Sequence, residues 1–102
     1  GIWNKGYEDS YGVDHEPISC YPHDDGVFNL ILRLGSTKTL LCGHNHINNW
    51  MINYKGIRFV FALKTGCGSY WEPNLNGGTV ITVSDSGVTD VKHEYVDVSE
   101  YL

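Results

Sequence analysis

The feature that most limits how this chain can fold is the shortness of its apolar segments. A long one, Phe59-Val60-Phe61-Ala62-Leu63, has only five residues, whereas a membrane-spanning helix needs about 20. Short apolar runs bounded by glycine and polar residues are typical of β-strands. Of the 102 residues, 41% are hydrophobic, which is enough for a core. We therefore expect one small folded domain at most, with no segment placed in a membrane.

Two β-hairpins are predicted in the second half of the chain. Each consists of two apolar segments separated by a turn that contains glycine, which is a hairpin signal. The segments are residues 50–54 and 57–63 around Lys55-Gly56, and residues 79–83 and 88–98 around residues 84–87. Side chains alternate in character along the last segment, which predicts a two-faced antiparallel strand with one wetter side.

The first half is predicted to contain a loop, a helix and a strand. Residues 1–22 are rich in Gly, Tyr, Ser, Asp and Pro without periodicity, which is typical of a long loop. Apolar residues at helical spacing predict a helix over residues 25–34, with Asp24 or Asp25 as N-cap and Gly35 as the stop. A buried strand is expected over Lys38–Cys42. The expected class is α/β in the form of an α+β fragment, with one helix and mostly strands and hairpins.

Charge and cysteine content exclude several classes of protein. The net charge is −5 and no lysine- or arginine-rich run is present, so no nucleic-acid surface is evident. The three cysteines lack a C-x-x-C spacing, which argues against a disulfide framework and against a cysteine-rich zinc site. No signal peptide is visible, and the compartment is left open. Because the chain begins with Gly1, we expect it to be a piece of a longer protein.

Gly43-His44-Asn45-His46, directly after Thr39-Leu40-Leu41-Cys42, is the strongest functional pattern. On an extended backbone, residues at i and i+2 point to the same side. The two imidazoles could then bind one metal ion or two adjacent ions. Three interpretations stay open from these residues alone: polar residues in a turn, a mononuclear zinc or iron site, or half of a binuclear site. Candidates for a third ligand are His15, His23, Asp24, Asp25, Cys67 and His93.

The order of these pieces resembles the carboxyl-terminal third of a calcineurin-like metallophosphoesterase. More narrowly, it is similar to the purple-acid-phosphatase-like branch. In that branch a loop with Glu-Pro precedes an Asp/Asn-x-Gly helix and a Gly-His-x-His motif. The matching pieces are Glu16-Pro17, Asp25-Gly26-Val27-Phe28 and Gly43-His44-Asn45-His46, followed by Asn48-Asn49-Trp50, a hairpin and the loop at residues 64–70. The resemblance covers about Gly6 to Val98.

The resemblance implies a fold and an activity. Residues 1–102 would be the carboxyl-terminal fragment of a single domain with a four-layer α/β/β/α sandwich. The parent protein would hydrolyse phosphate esters with metal-activated water. His44 would bind the second metal ion and His46 the first, with Fe, Zn or Mn as the metals, and no further catalytic residue is assigned. The Asp-x-His, Gly-Asp-x-x-Asp and Gly-Asn-His-Asp/Glu motifs of the family do not occur here. The fragment is therefore expected to need the upstream part of its own domain for turnover.

Other residues receive weaker assignments. His23 and Tyr70 are candidate substrate contacts, against the alternatives of an N-terminal capping role for His23 and core or rim packing for Tyr70. His15 and His93 are expected to be loop or surface residues, and Cys42 a small buried residue. If upstream elements normally cover this piece, an apolar patch should be exposed along the Leu40-Leu41 strand or on the Val27/Ile31 face of the helix. The alternative function is a non-catalytic β-rich binding module in which the two histidines are only loop residues.

Overall fold

The computed structural model of the chain describes residues 10–20 and 22–102. Part of the predicted loop at residues 1–22 therefore lies outside the described residues. The elements are α1 (Val27–Leu34), β1 (Thr39–Cys42), β2 (Met51–Tyr54), β3 (Ile57–Phe61), β4 (Gly77–Ser84) and β5 (Gly87–Tyr95), with short 3₁₀ turns at Pro73–Leu75 and Val98–Tyr101. The α+β character with one helix and mostly strands is confirmed, whereas the four-layer sandwich stays a prediction.

The strands form two separate sheets. The first has the order β1-β3-β2, with β1 parallel and β2 antiparallel to β3. The second is the antiparallel pair β4-β5. Both predicted hairpins are confirmed, although β4 begins at Gly77 and β5 ends at Tyr95. Lys55 and Gly56 have φ angles of 50° and 77°, as the two central residues of a tight hairpin turn require.

One face of the three-stranded sheet carries the aromatic part of the core. Ile52 is fully buried and packs with Trp50 and Phe61. Successive side chains on a strand point to opposite faces, so these three residues share one face. The helix reaches the same cluster through Phe28, whose ring lies 5.9 Å from that of Phe59. The same ring also stacks on that of Tyr54 with centroids 5.8 Å apart, so the helix contacts this face through one aromatic side chain.

The opposite face packs against the second sheet. Met51 of β2 and Val60 of β3 form a buried cluster with Val91 of β5. These residues are 4%, 1% and 5% exposed, so water is excluded from this contact. The described part of the chain thus has α1 on one side of the three-stranded sheet and the β4-β5 hairpin on the other.

The helix begins later than predicted, and its N-cap is Gly26 instead of an aspartate. Gly26 has φ 84°, a left-handed conformation that glycine adopts at low cost. Asp24 and Asp25 instead accept hydrogen bonds from the backbone N–H groups of Gly26 and Val27, at 2.8 and 3.2 Å. The predicted stop is confirmed, since Gly35 has φ 73° and donates its N–H to the carbonyl of Ile31.

β1 is not the buried strand that its apolar residues suggested. Leu41 is 39% exposed and Cys42 is also exposed, because β1 pairs with β3 and nothing else in the described part covers its outer residues. Helix α1 buries none of its residues, and Val27, Leu30 and Leu34 are exposed. Of the residues predicted to form an exposed apolar patch, Leu41 and Val27 are exposed, whereas Leu40 and Ile31 are half-buried. No helix among the described residues is both long and apolar enough to cross a membrane.

His93 is buried, so the expectation of a loop or surface residue is wrong. The N–H of Leu63 donates to the Thr79 hydroxyl oxygen at 3.0 Å, which leaves the hydroxyl proton for His93 Nδ1 at 2.9 Å. The other ring nitrogen, Nε2, lies 2.8 Å from the carbonyl oxygen of Asn49 and must donate to it. Both ring nitrogens are used, which excludes His93 as a metal ligand in this arrangement. Burial lowers the pKa of His93 and outweighs the opposing effect of the bond to Asn49.

We expect the stability of the chain to fall in mild acid because of His93. Below the usual histidine pKa of about 6.5, the unfolded chain binds a proton that the folded chain excludes. The free energy of unfolding therefore decreases as the pH falls from about 7 to 5. Urea unfolding of the wild type, His93→Gln and His15→Gln at several pH values measures this. His93→Gln should flatten the profile, and an equally steep profile in this variant would contradict the assignment.

Candidate functional site

The Gly43-His44-Asn45-His46 segment is a turn and not an extension of β1. His44 has φ 76°, the left-handed conformation that a residue with a Cβ adopts only at a cost. The alternation of side chains along an extended strand therefore does not apply here. Asn45 is buried, His44 is exposed and His46 is half-buried. The expectation that the two imidazoles bind one metal ion or two adjacent ions stays a prediction.

Asparagine side chains attach the long N-terminal loop to this turn. The Asn48 amide donates to the carbonyl of Glu16 at 2.9 Å and accepts from the N–H of Glu16 at 3.0 Å. Asn45 donates to the carbonyl of Pro17 at 3.0 Å. An asparagine amide has the donor and acceptor of a peptide group. The Asn48 side chain therefore pairs with the backbone of Glu16 as the backbone of a neighbouring strand would. Asn48 is 2% exposed, which makes its loss costly.

Asn49 attaches the N-terminal loop to this turn at a second point, a few residues before Glu16. Its Oδ1 accepts from the N–H of Val13 at 2.7 Å and its Nδ2 donates to the Tyr95 hydroxyl at 2.8 Å. Burial raises the pKa of Tyr95 to about 12, helped by its hydrogen bond with Tyr11. A Cβ on Gly12 would lie 2.6 Å from Asn49 Oδ1. The close approach of loop and turn therefore depends on the absence of a side chain at residue 12.

The Glu16 carboxylate lies beside the histidine turn. Oε1 accepts hydrogen bonds from the N–H groups of His46 at 2.5 Å and Ile47 at 3.1 Å. Oε2 accepts from the Tyr70 hydroxyl at 2.7 Å. Burial raises the pKa of Glu16, but the hydrogen bonds from Tyr70 and the two amides together outweigh it and hold the pKa below its usual value. Glu16 is therefore a charged acceptor that joins three segments of the chain.

His46 and Tyr70, two residues singled out from the sequence, are in contact. Their rings stack with centroids 4.1 Å apart and an angle of 14° between planes. His46 Nδ1 also lies 2.8 Å from the carbonyl oxygen of Tyr70. The hydrogen bond to Glu16 raises the pKa of the Tyr70 hydroxyl. His23, the other predicted substrate contact, lies in the exposed segment before α1.

The residues present could supply two ligands of a metal centre. The His44 side chain is exposed and takes part in no hydrogen bond, ion pair or ring contact with the described part of the chain. His46 uses only one ring nitrogen in contacts with the described part of the chain. Within residues 10–20 and 22–102, no group of three or more His, Cys, Asp or Glu side chains is placed to hold a metal ion. The donor set fits half of a centre with imidazole ligands, and His44 and His46 stay predicted ligands.

The other third-ligand candidates have different surroundings. His15 is exposed, as expected, and its Nδ1 lies 2.8 Å from the Glu72 carboxylate. Asp24 and Asp25 accept hydrogen bonds from the backbone at the start of α1. Cys67 is half-buried and has a free thiol.

Sequence reasoning missed the residues that hold the turn in place. Glu16-Pro17 is part of the sequence pattern, but the sequence alone indicates no role for Glu16 and no function for the three asparagines. A signal was present in Asn45-x-x-Asn48-Asn49 directly after an apolar strand. Asparagine amides that are buried need partners, and the long loop offers them.

Comparison with known proteins gives one distant similarity. The chain is 28% identical over 68 residues to a protein of Arabidopsis thaliana named probable inactive purple acid phosphatase 28. The match covers 67% of this chain and 17% of that relative, so the chain spans a small part of its length. No family model and no solved structure matches the chain. The similarity indicates a relationship to the purple acid phosphatase branch at most.

The contact between Gly12 and Asn49 can be tested with a matched pair of glycine variants. Gly12 and Gly66 have nearly equal φ angles of 91° and 94°, but a Cβ at Gly66 would meet nothing within 4 Å. Gly66→Ala should cost about 1 kcal/mol for the left-handed conformation alone. Gly12→Ala should cost clearly more, because the loop must also move away from Asn49. Urea unfolding measures both, and equal losses would contradict the close approach.

Proposed function

We propose that this chain is part of a metal-dependent phosphoesterase and supplies two histidine ligands to its metal centre. The observation that carries the proposal is an exposed, unpartnered His44 next to a His46 with one ring nitrogen unused within the described part of the chain. The distant similarity to a purple acid phosphatase relative supports the same class. The parent protein would be a hydrolase of phosphate esters.

The chemistry follows from the ligand type. Neutral imidazole suits zinc, iron and related ions, and a pair of Fe, Zn or Mn ions would polarise the phosphoryl group and lower the pKa of an attacking water. His44 and His46 would each hold one of the two ions. The bridging and remaining ligands would come from residues outside the described part, in keeping with the expected need for the upstream part of the domain.

Tyr70 and His23 are the proposed substrate contacts. The Tyr70 hydroxyl is bound to Glu16, so its ring and not its hydroxyl would meet the phosphate ester. Tyr70 is 48% exposed although it stacks on His46, which leaves part of the ring open to a ligand beside the histidines. His23 is exposed and would contribute from the segment before α1.

A non-catalytic binding module is the second candidate. It is favoured by the word inactive in the name of the Arabidopsis relative. In that case His44 and His46 would be turn residues, and the protein would recognise a partner without turnover. The two functions differ in whether metal-dependent hydrolysis occurs, since only the phosphoesterase needs His44 and His46 for hydrolysis.

Hydrolysis of an aryl phosphate by the full-length parent protein tests the proposal, with Mn, Zn or Fe supplied. Changes around the ligands of a metal centre typically cost about 10–100-fold. Loss of a ligand in His44→Ala or His46→Ala should cost at least that much. His15→Ala is the matched control, since its ring pairs with Glu72 away from this turn. Undiminished turnover in both motif variants would contradict the phosphoesterase function, and absence of turnover in the wild type would favour the binding module.

A further inference from the structure

The contact between His46 and Tyr70 determines where the imidazole proton lies. A carbonyl oxygen can only accept a hydrogen bond, and Tyr70 O lies 2.8 Å from His46 Nδ1. Nδ1 must therefore carry the proton in the neutral ring. The lone pair of the neutral ring is then on Nε2, the nitrogen that has no partner within the described part of the chain. The choice of ring nitrogen in a histidine ligand is generally set by the hydrogen bond of the other nitrogen.

The Glu16 carboxylate holds both halves of this contact. One oxygen binds the N–H of His46 itself, at 2.5 Å, and the other binds the hydroxyl of Tyr70, at 2.7 Å. The side chain of Glu16 thereby fixes the backbone that carries the imidazole and the ring that stacks on it. A charged acceptor makes stronger hydrogen bonds than a neutral one, and three donors share this carboxylate.

Asn48 in turn holds the backbone of Glu16. Its buried amide binds both the N–H and the carbonyl of Glu16, at 3.0 and 2.9 Å. The carboxylate therefore extends from a residue whose main chain is bonded on both sides. A series of direct contacts leads from Asn48 through Glu16 and Tyr70 to the ring of His46.

We propose that Glu16 and Tyr70 are positioning residues, which hold His46 with Nδ1 protonated and Nε2 presented as the ligand nitrogen. The proposal deepens the metal site and rests on the proposed function for the use of Nε2. Its structural content, the tautomer and its dependence on Glu16, is independent of any metal. Glu16 acts through His46 and Tyr70, whereas Tyr70 holds His46 with its carbonyl and its ring in addition to its proposed contact with the substrate.

Long-range ¹⁵N–¹H correlation spectra of the labelled chain test the tautomer directly. Without metal and at a pH of about 8, where imidazoles are neutral, the wild type should show His46 with its proton on Nδ1. Glu16→Ala should convert this signal to a mixture of both tautomers. Glu72→Ala is the matched control, because it removes an exposed carboxylate that pairs with His15 instead, and it should leave the His46 signal unchanged.

The dispersion of amide signals in the same samples shows whether Glu16→Ala is folded. If it is not, two milder variants keep the test decisive. Glu16→Gln retains an oxygen for the two amides, and Tyr70→Phe retains the ring and the carbonyl while it removes the hydroxyl. Each should shift part of the His46 population to the other tautomer. A wild-type tautomer in every folded variant would overturn the proposal.

Addition of Zn²⁺ to the full-length parent protein, as wild type and with the same substitutions, separates this proposal from the proposed function. In the wild type, Zn²⁺ should shift the Nε2 signal of His46, and Glu16→Ala should weaken binding by about 10–100-fold while Glu72→Ala should not. If Zn²⁺ leaves His44 and His46 unperturbed but Glu16 still controls the tautomer, the metal function is contradicted and the positioning role stands. If Zn²⁺ binds with equal affinity to the wild type and to folded Glu16→Ala, the positioning role is contradicted and the metal function stands.

Discussion

The two hydrogen bonds between the buried Asn48 amide and the backbone of Glu16 are the contact on which the candidate site depends. The loop before α1 has no strand of its own in the described residues and meets the rest of the chain through isolated bridges, such as Tyr11 with Met51. Each hydrogen bond of this kind contributes about 1 kcal/mol, but a buried partner left unpaired costs more. Asn48 therefore fixes one position of a loop that could otherwise lie in many, and Glu16 is at that position.

The sheet supplies the rigid part of the arrangement. β1 pairs with β3, and the bond from the Ala62 N–H to the Cys42 carbonyl extends the pairing to the last residue of β1. The histidine turn thus starts from a fixed point at the carboxyl end of a strand, where α/β proteins commonly bind ligands. The buried contact of Met51 and Val60 with Val91 places the second hairpin behind this sheet. From there Tyr95 and His93 reach Asn49.

Local patterns predicted the elements, and long-range contacts decided what the patterns could not show. Glycine-containing turns located both hairpins, and helical spacing with Gly35 located α1. The predicted burial of β1 is wrong. Apolar residues such as Leu41 indicate that a strand can pack against other apolar residues, but not whether a helix or sheet is present to cover it. His93 was assigned to the surface because its partners, Thr79 and the carbonyl of Asn49, are 14 and 44 residues away in sequence. The sequence indicates no role for Glu16 for the same reason, since all three of its donors follow it by about 30 residues or more.

The backbone of His44 bears on the choice between a ligand and a turn residue. A non-glycine residue in the left-handed region costs about 1 kcal/mol or more, and glycine or asparagine would adopt the same φ of 76° more readily. The His44 side chain makes no hydrogen bond, ion pair or ring contact with the described part of the chain that would offset this cost. The adjacent asparagine, by contrast, is buried and hydrogen-bonded to the loop. Fold stability therefore accounts for Asn45 but gives no reason for an imidazole at residue 44, and such an exposed residue in the left-handed region is a position where the proposed ligand role can be tested.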